Sequence, residues 1–158
     1  MFEESVEGFM LQWKNYAAQV HLFAHVEGSP LLECEALGKV FHVFERTAPY
    51  AATLGKAQVI IHPVTEKVYQ STQQKKAFDV VGLSKIQARG VVLYRQWNIV
   101  VIDAGIPLVV GVFSPLLEEV TAGDWLEFSA QAPLHGFVLP EVRQQSSRSF
   151  ENSEQDSL

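Results

Sequence analysis

The sequence predicts a mainly β protein, a small antiparallel barrel or sandwich, and three observations support this fold class. Residues 90–94, 98–103 and 107–113 are rich in Val and Ile and are joined by short connections, which is typical of an antiparallel meander. Residues 16–26 and 31–44 alternate apolar and polar side chains, which is the period of a strand with one buried face. The glycines stand singly, as they do in turns and bulges.

The N-terminal region combines two periods. Apolar residues recur at helical spacing from Phe2 to Trp13, whereas residues 16–26 alternate. We therefore predict a short helix over residues 3–13, anchored on the core by Trp13, and a strand over residues 16–26. Residues 31–44 predict two strands, or one strand bent at Gly38, where glycine permits a bulge.

The rest of the chain follows the same pattern of short elements. Residues 58–61 predict a strand that ends at His62-Pro63, and residues 64–70 predict its hairpin return. Residues 114–120 predict one helical turn, opened by Ser and Pro. Residues 125–130 and 136–139 predict the last strands.

The motif Ser-Pro-Leu-Leu-Glu occurs at residues 29–33 and again at residues 114–118, and Gly38 and Gly123 follow it at the same offset. This pattern is consistent with a pseudo-duplication of a small β-unit, and coincidence is the alternative explanation. Residues 141–158 contain almost no apolar side chains, so they predict a disordered polar tail. Residues 1–140 then form a single β-rich domain.

The sequence lacks the motifs that are typical of several functional classes. Cys34 is the only cysteine, which leaves no internal disulfide or Cys-rich zinc site and predicts a cytoplasmic protein. No secretory signal or membrane-spanning stretch is visible, because the start is acidic and residues 98–113 are interrupted by Asp, Gly and Pro. No glycine-rich phosphate loop or tight metal motif occurs, so we predict neither a cofactor nor a metal.

Charge is segregated along the chain. Residues 56–95 hold seven basic and two acidic residues, a net charge of +5, although the whole chain carries −6. Aromatic residues are interleaved there, as in surfaces that bind acidic partners or stack nucleic-acid bases. Trp97, in a predicted hairpin turn beside Arg95, is expected to be exposed, and Trp and Arg are enriched at interface hot spots. The predicted binding residues are Lys67, Tyr69, Lys75, Lys76, Arg89, Tyr94, Arg95 and Trp97.

The function that these observations predict is a non-enzymatic binding or adaptor module for a protein partner, with self-association through strand edges left open. One alternative is single-stranded nucleic-acid binding, if the basic segment forms a five-stranded barrel of the OB or SH3 type. In a second alternative the lysines are a solvated face, with Phe78 and Tyr94 in the core. A third is a small enzyme or ligand binder with a pocket near His62, Asp103 and His135, although no catalytic spacing supports it.

Overall fold

The computed structural model describes residues 2–23, 25, 28–47, 54–115 and 119–140. It confirms the mainly β fold with a barrel and one short N-terminal helix, α1 (Val6–Trp13), which a 3₁₀ turn (Lys14–Tyr16) follows. The strands are β1 (Ala18–Leu22), β2 (Leu31–Ala36), β3 (Lys39–Glu45), β4 (Gly55–His62), β5 (Val64–Thr65), β6 (Tyr69–Gln70), β7 (Ala77–Gly82), β8 (Lys85–Gln96), β9 (Ile99–Asp103), β10 (Pro107–Val112), β11 (Trp125–Ser129) and β12 (His135–Val138). The predicted tail, residues 141–158, lies outside the described residues.

A five-stranded barrel closes in the order β1-β2-β3-β12-β4. Strand β12 runs parallel to β3 and antiparallel to β4, and the other pairs are antiparallel. The last strand therefore lies between the third and fourth, and residues 63–134 form an insertion between β4 and β12. The basic segment lies largely in this insertion, so the expectation that it forms the five-stranded barrel is wrong.

The insertion forms a second, curled sheet in the order β5-β10-β9-β8-β11-β6, with β7 also paired to β8. One edge of β8 pairs first with β7 and then with β9. At this junction a Cβ on Gly90 would lie 2.2 Å from the backbone oxygen of Asp103, so only glycine fits. Lys76 Nζ, just before β7, lies 2.9 Å from Asp103 Oδ2 at the end of β9.

Two apolar cores hold these parts together. The larger core is shared by the barrel and the second sheet, and it includes Leu32, Val43 and Ile61 from the barrel with Ile86, Val110 and Leu126 from the sheet. The smaller core lies under α1, where Phe9 and Trp13 pack against Ile60 and Phe137 of the barrel and Val101 and Val109 of the sheet. Helix α1 therefore covers the seam between the two β structures.

Local sequence patterns are mostly confirmed, with shifted boundaries. Helix α1 begins at Val6 because the Ser5 side chain caps it, accepting a hydrogen bond from the backbone N of Gly8 at 3.0 Å. Residues 31–44 form two strands joined by a turn in which Leu37 and Gly38 have positive φ. Strands β8, β9 and β10 form the predicted antiparallel meander.

Three predictions about local structure are not confirmed. The hairpin return over residues 64–70 is wrong, because β5 pairs parallel to β10 and β6 pairs with β11. The helical turn over residues 114–120 lies partly outside the described residues. The duplication stays a prediction: β2 and β3 pair with each other, whereas β11, in the second copy, pairs with β8 and β6.

In the described part of the chain no helix has both the length and the apolar character needed to cross a bilayer.

Candidate functional site

The eight predicted binding residues fall into two groups on the second sheet. Lys67, Tyr69, Lys75, Lys76 and Arg89 lie near the first half of β8, and Tyr94, Arg95 and Trp97 lie at its other end. Six residues of extended strand separate Arg89 from Arg95, which is about 20 Å. The structure therefore does not bring these residues into one continuous surface, although their roles in binding stay predictions.

The first group surrounds a small pocket of about 280 Å³, which we call the Tyr69 pocket. Cross-strand pairing places Glu127 between Tyr69 and Arg89, and Asp79 also lines the pocket. Lys67 Nζ lies 5.3 Å from the centroid of the Tyr69 ring. The acidic side chains offset the charge of Arg89, so the positive charge of the sequence window does not become a positive pocket.

Two of the four cations of this group, Arg89 and Lys76, are engaged locally. Arg89 Nε donates a hydrogen bond of 2.8 Å to the backbone oxygen of Lys75, and Lys76 forms the ion pair with Asp103. Hydrogen bonds from Lys76 and from the backbone N of Gly105 lower the pKa of Asp103, although its partial burial opposes them. Asp103 therefore stays ionised and acts as a structural anchor of the β7–β9 junction.

The second group is dominated by Trp97, whose side chain is 90% exposed. Trp97 lies with Asn98 in the two-residue turn between β8 and β9 and has φ of 59°, which is an outlier for a bulky residue. Tyr94 instead stacks on Tyr16 at 6.0 Å and stays partly exposed. The alternative that places both Phe78 and Tyr94 in the core is therefore wrong for Tyr94 and right for Phe78, which is buried. Arg95 Nη1 donates to the backbone oxygen of Val120 at 3.3 Å.

Trp97 stands at the rim of a cleft of about 950 Å³ between α1 and the β8–β9 turn, which we call the α1 cleft. Its aromatic lining includes Phe113, which is 48% exposed, and Phe2, whose ring centroid lies 5.3 Å from that of Phe113. Buried Trp13 also lines it, and its indole N–H has no acceptor among the described residues. The cleft therefore offers aromatic surface at the predicted hot-spot residue.

The charged residues that line the α1 cleft are both acids. Glu3 is mostly buried and forms an ion pair with Arg46, the residue that follows β3. Glu4 is exposed and has no ion pair within the described ranges. Because the lining that the structure describes contains no Lys, Arg or His and Glu3 is paired with Arg46, Glu4 gives the aromatic cleft its unpaired negative charge.

His62 and His135 are direct cross-strand neighbours on β4 and β12, with ring centroids 6.2 Å apart. His62 Nδ1 lies 2.6 Å from the backbone oxygen of Val109, and the ring of Phe9 packs 4.8 Å away. Burial lowers the pKa of His62 to about 4 and also lowers that of His135, where the charge of Arg46 adds to the effect. Both imidazoles are therefore neutral near pH 7.

These two histidines do not combine with Asp103 into the predicted pocket. Asp103 is bonded to Lys76 and Gly105 at the β7–β9 junction, and neither the α1 cleft nor the Tyr69 pocket is lined by any of the three residues. The contacts of His62, with a backbone carbonyl and aromatic rings, are those of a packed structural imidazole. The described structure thus does not assemble His62, His135 and Asp103 into one acid–base site.

Sequence reasoning missed Phe113, Phe2 and Glu4 as parts of the candidate site. The available signal was Gly111, which shares a strand face with Phe113 and whose Cβ would lie 2.8 Å from the Phe2 ring. A glycine inside an apolar strand indicates that another group approaches closely there. It could not indicate that the approaching group comes from the N-terminus.

Metal and thiol chemistry find no support in the described residues. No group of three or more His, Cys, Asp or Glu side chains is placed to hold a metal ion within those ranges. Cys34 is buried in the barrel, and burial, with the nearby charges of Glu33 and Glu45, raises the pKa of its thiol to about 12. The thiol is therefore protonated and behaves as a small apolar side chain.

Comparison with known proteins adds no relative: no family model matches the chain, and no curated protein or solved structure matches it significantly.

Proposed function

We propose that the protein is a non-enzymatic binding module that contacts a protein partner through Trp97 and the aromatic residues of the α1 cleft. The observation that carries this proposal is the 90% exposure of Trp97 at the rim of the cleft. Its positive φ costs of order 1 to 3 kcal/mol in the free protein, and such outliers cluster at ligand-binding positions. Burial of this indole against a partner would offset that cost.

A protein partner fits the surface better than a single-stranded nucleic acid does. Stacking surfaces for nucleic acids combine aromatic rings with a positive groove that follows the phosphates. Tyr69 and Arg89 share their pocket with Asp79 and Glu127, and Trp97 borders a cleft with two lining carboxylates. Neither place offers the excess of positive charge that a phosphate backbone needs, whereas a protein segment can supply complementary charges.

The predicted cellular location and the question of self-association are part of the same proposal. A cytoplasmic location rests on the single buried cysteine and a reducing compartment. For self-association through strand edges, β5 and β6 at the ends of the second sheet have two residues each and offer little edge, whereas β7 has six residues and pairs with β8 on one side. The proposed contact is nevertheless made by side chains around Trp97, and we propose a partner that is a different chain.

The test compares Trp97→Ala with the matched control Leu83→Ala. Leu83 is 68% exposed in the turn at the opposite end of β8, so both changes remove an exposed apolar side chain from a hairpin turn. We expect wild type and L83A to capture the same protein from an extract of the source cells. With that protein purified, W97A should bind at least about 30-fold more weakly, as for a hot-spot residue.

Two results would contradict the proposal. One is an unchanged Kd for W97A with the purified partner. The other is saturable binding of a single-stranded DNA or RNA oligonucleotide that quenches Trp fluorescence and weakens steeply with salt, which would support the nucleic-acid alternative instead. Thermal melting of both variants checks folding, and surface changes of this kind are expected to alter stability by about 0.5 kcal/mol or less.

A further inference from the structure

We infer that the α1 cleft binds a basic side chain, Lys or Arg, on a partner segment in which apolar residues flank it. This inference rests on the proposed function, because it concerns the same surface, and it names the chemistry of the partner. Its basis is the combination of an aromatic wall with uncompensated negative charge. Neither feature would be sufficient without the other.

The charge of the cleft is negative at its accessible end. Of its two lining carboxylates, Glu3 is already paired with Arg46, whereas Glu4 is exposed and has no ion pair in the described part of the chain. The helix N-terminus contributes only about half a positive charge, and Ser5 already caps it. A cation is therefore favoured and an anion is not.

The aromatic wall suits the same kind of group. Trp97 and Phe113 line the cleft and present large exposed ring surface. A cation placed over an aromatic face is attracted by the ring quadrupole, most strongly for Trp, and Arg can also stack on the ring plane. The aliphatic stem of Lys or Arg would cover Phe113 or Trp97 while the charged head reaches Glu4.

The dimensions and composition of the cleft favour a peptide segment over an isolated cation. Its volume of about 950 Å³ is at the upper end of the range for small-ligand sites, so it can hold several side chains. Half-exposed Phe113 and exposed Trp97 are apolar surface that a lone cation would leave largely uncovered. Apolar residues beside the basic one would cover it.

The test uses two acetylated, amidated tripeptides as probes, Leu-Arg-Leu and Leu-citrulline-Leu. Citrulline has nearly the shape of arginine without its charge. Binding is followed through the Trp97 indole N–H resonance, which W97F identifies. We expect the arginine peptide to shift this resonance saturably and the citrulline peptide to bind at least about 10-fold more weakly, because citrulline lacks the charge that both Glu4 and the Trp97 ring attract.

The charge of the protein is tested with Glu4→Gln against the matched control Glu7→Gln. Both residues are exposed at the start of α1, but Glu4 lines the cleft and Glu7 does not. E4Q should weaken the arginine peptide at least about 3-fold and leave the citrulline peptide unchanged, whereas E7Q should change neither by more than about 1.5-fold. Equal effects of the two variants, or equal affinities of the two peptides, would overturn the inference.

The outcomes also separate this inference from the proposed function. If W97A abolishes binding of the protein partner while the arginine peptide gives no saturable shift, the binding module stands and the basic-segment inference fails. If W97A leaves the partner's Kd unchanged, the proposed function itself fails, whatever the peptides do.

Discussion

At the scale of single residues, the burial of polar groups decides most of the chemistry. His62 has a very small exposed surface, a backbone carbonyl as its hydrogen-bond partner and aromatic neighbours on several sides. His135 lies beside it, and the charge of Arg46 opposes protonation of both. Burial therefore keeps both imidazoles neutral near pH 7, so protonation of His62 is linked to unfolding.

The stability of the protein should fall as the pH decreases from about 6.5 to about 4. Above this window His62 is neutral in both states; within it the unfolded chain binds a proton that the native state does not yet accept. A pKa of about 4 against an ordinary value near 6.5 corresponds to about 3 kcal/mol at pH 4. Urea unfolding of wild type and His62→Gln at several pH values measures it. Parallel pH profiles for the two proteins would show that His62 does not contribute.

The burial of Trp13 predicts a large loss of stability when its side chain is truncated. Trp13 is 2% exposed in the core beneath α1, where it contacts Phe9 and Tyr94. Trp13→Ala should lower the free energy of unfolding by about 3 to 5 kcal/mol because it leaves a large cavity. Leu11→Ala, on the exposed face of the same helix, should cost less than about 1 kcal/mol. Similar losses for both variants in urea unfolding would mean that α1 is not docked on the seam.

At the scale of elements, short-range patterns were predictable and long-range pairings were not. Strands β8, β9 and β10 follow one another through tight connections, so their Val and Ile runs were enough to predict them. The parallel pair β3–β12 joins residues on either side of the insertion, and no local pattern encodes such a partner. Trp97 was expected to be exposed, and it is, because a two-residue turn leaves a large side chain little to pack against.

The candidate site shows the same limit. The net charge of residues 56–95 was summed over residues that are close in sequence. The electrostatic environment of a strand residue is instead set by its cross-strand neighbours. Glu127 beside Arg89 and Asp103 beside Lys76 both come from outside that window. The acids that surround the α1 cleft come from the N-terminus, far from Trp97 in sequence. The sign of the surface around Trp97 was therefore not predictable from local composition.

The junction on β8 gives a prediction about a single glycine. Gly90→Ala should lower the free energy of unfolding by about 3 kcal/mol, because the new Cβ would meet the backbone oxygen of Asp103 at 2.2 Å and neither strand can move freely. Gly82→Ala is the matched control in the same sheet: its Cβ would have its nearest neighbour at 3.7 Å, and its cost should stay below about 0.5 kcal/mol. If chemical denaturation finds G90A as stable as G82A, the close approach of β9 to β8 is contradicted.

At the scale of the whole molecule, the shared core argues for one folding unit. Apolar side chains from the barrel and from the second sheet belong to the same buried cluster, and α1 packs on both. We therefore expect a single cooperative unfolding transition, with far-ultraviolet circular dichroism and Trp fluorescence giving the same midpoint. Val43→Ala in the barrel and Leu126→Ala in the sheet should each lower that common midpoint. Two separated transitions, each sensitive to one variant, would show independent units.

The position of β12 also determines when the barrel can form. During synthesis, β1 to β4 leave the ribosome well before the strand that must lie between β3 and β4. Until residues 135–138 emerge, those two strands keep unpaired backbone groups, and the entropy of closing so long a segment opposes their final pairing. The barrel of the nascent chain therefore stays open while the entire second sheet is synthesised. Chaperone binding during this period would protect the chain from aggregation.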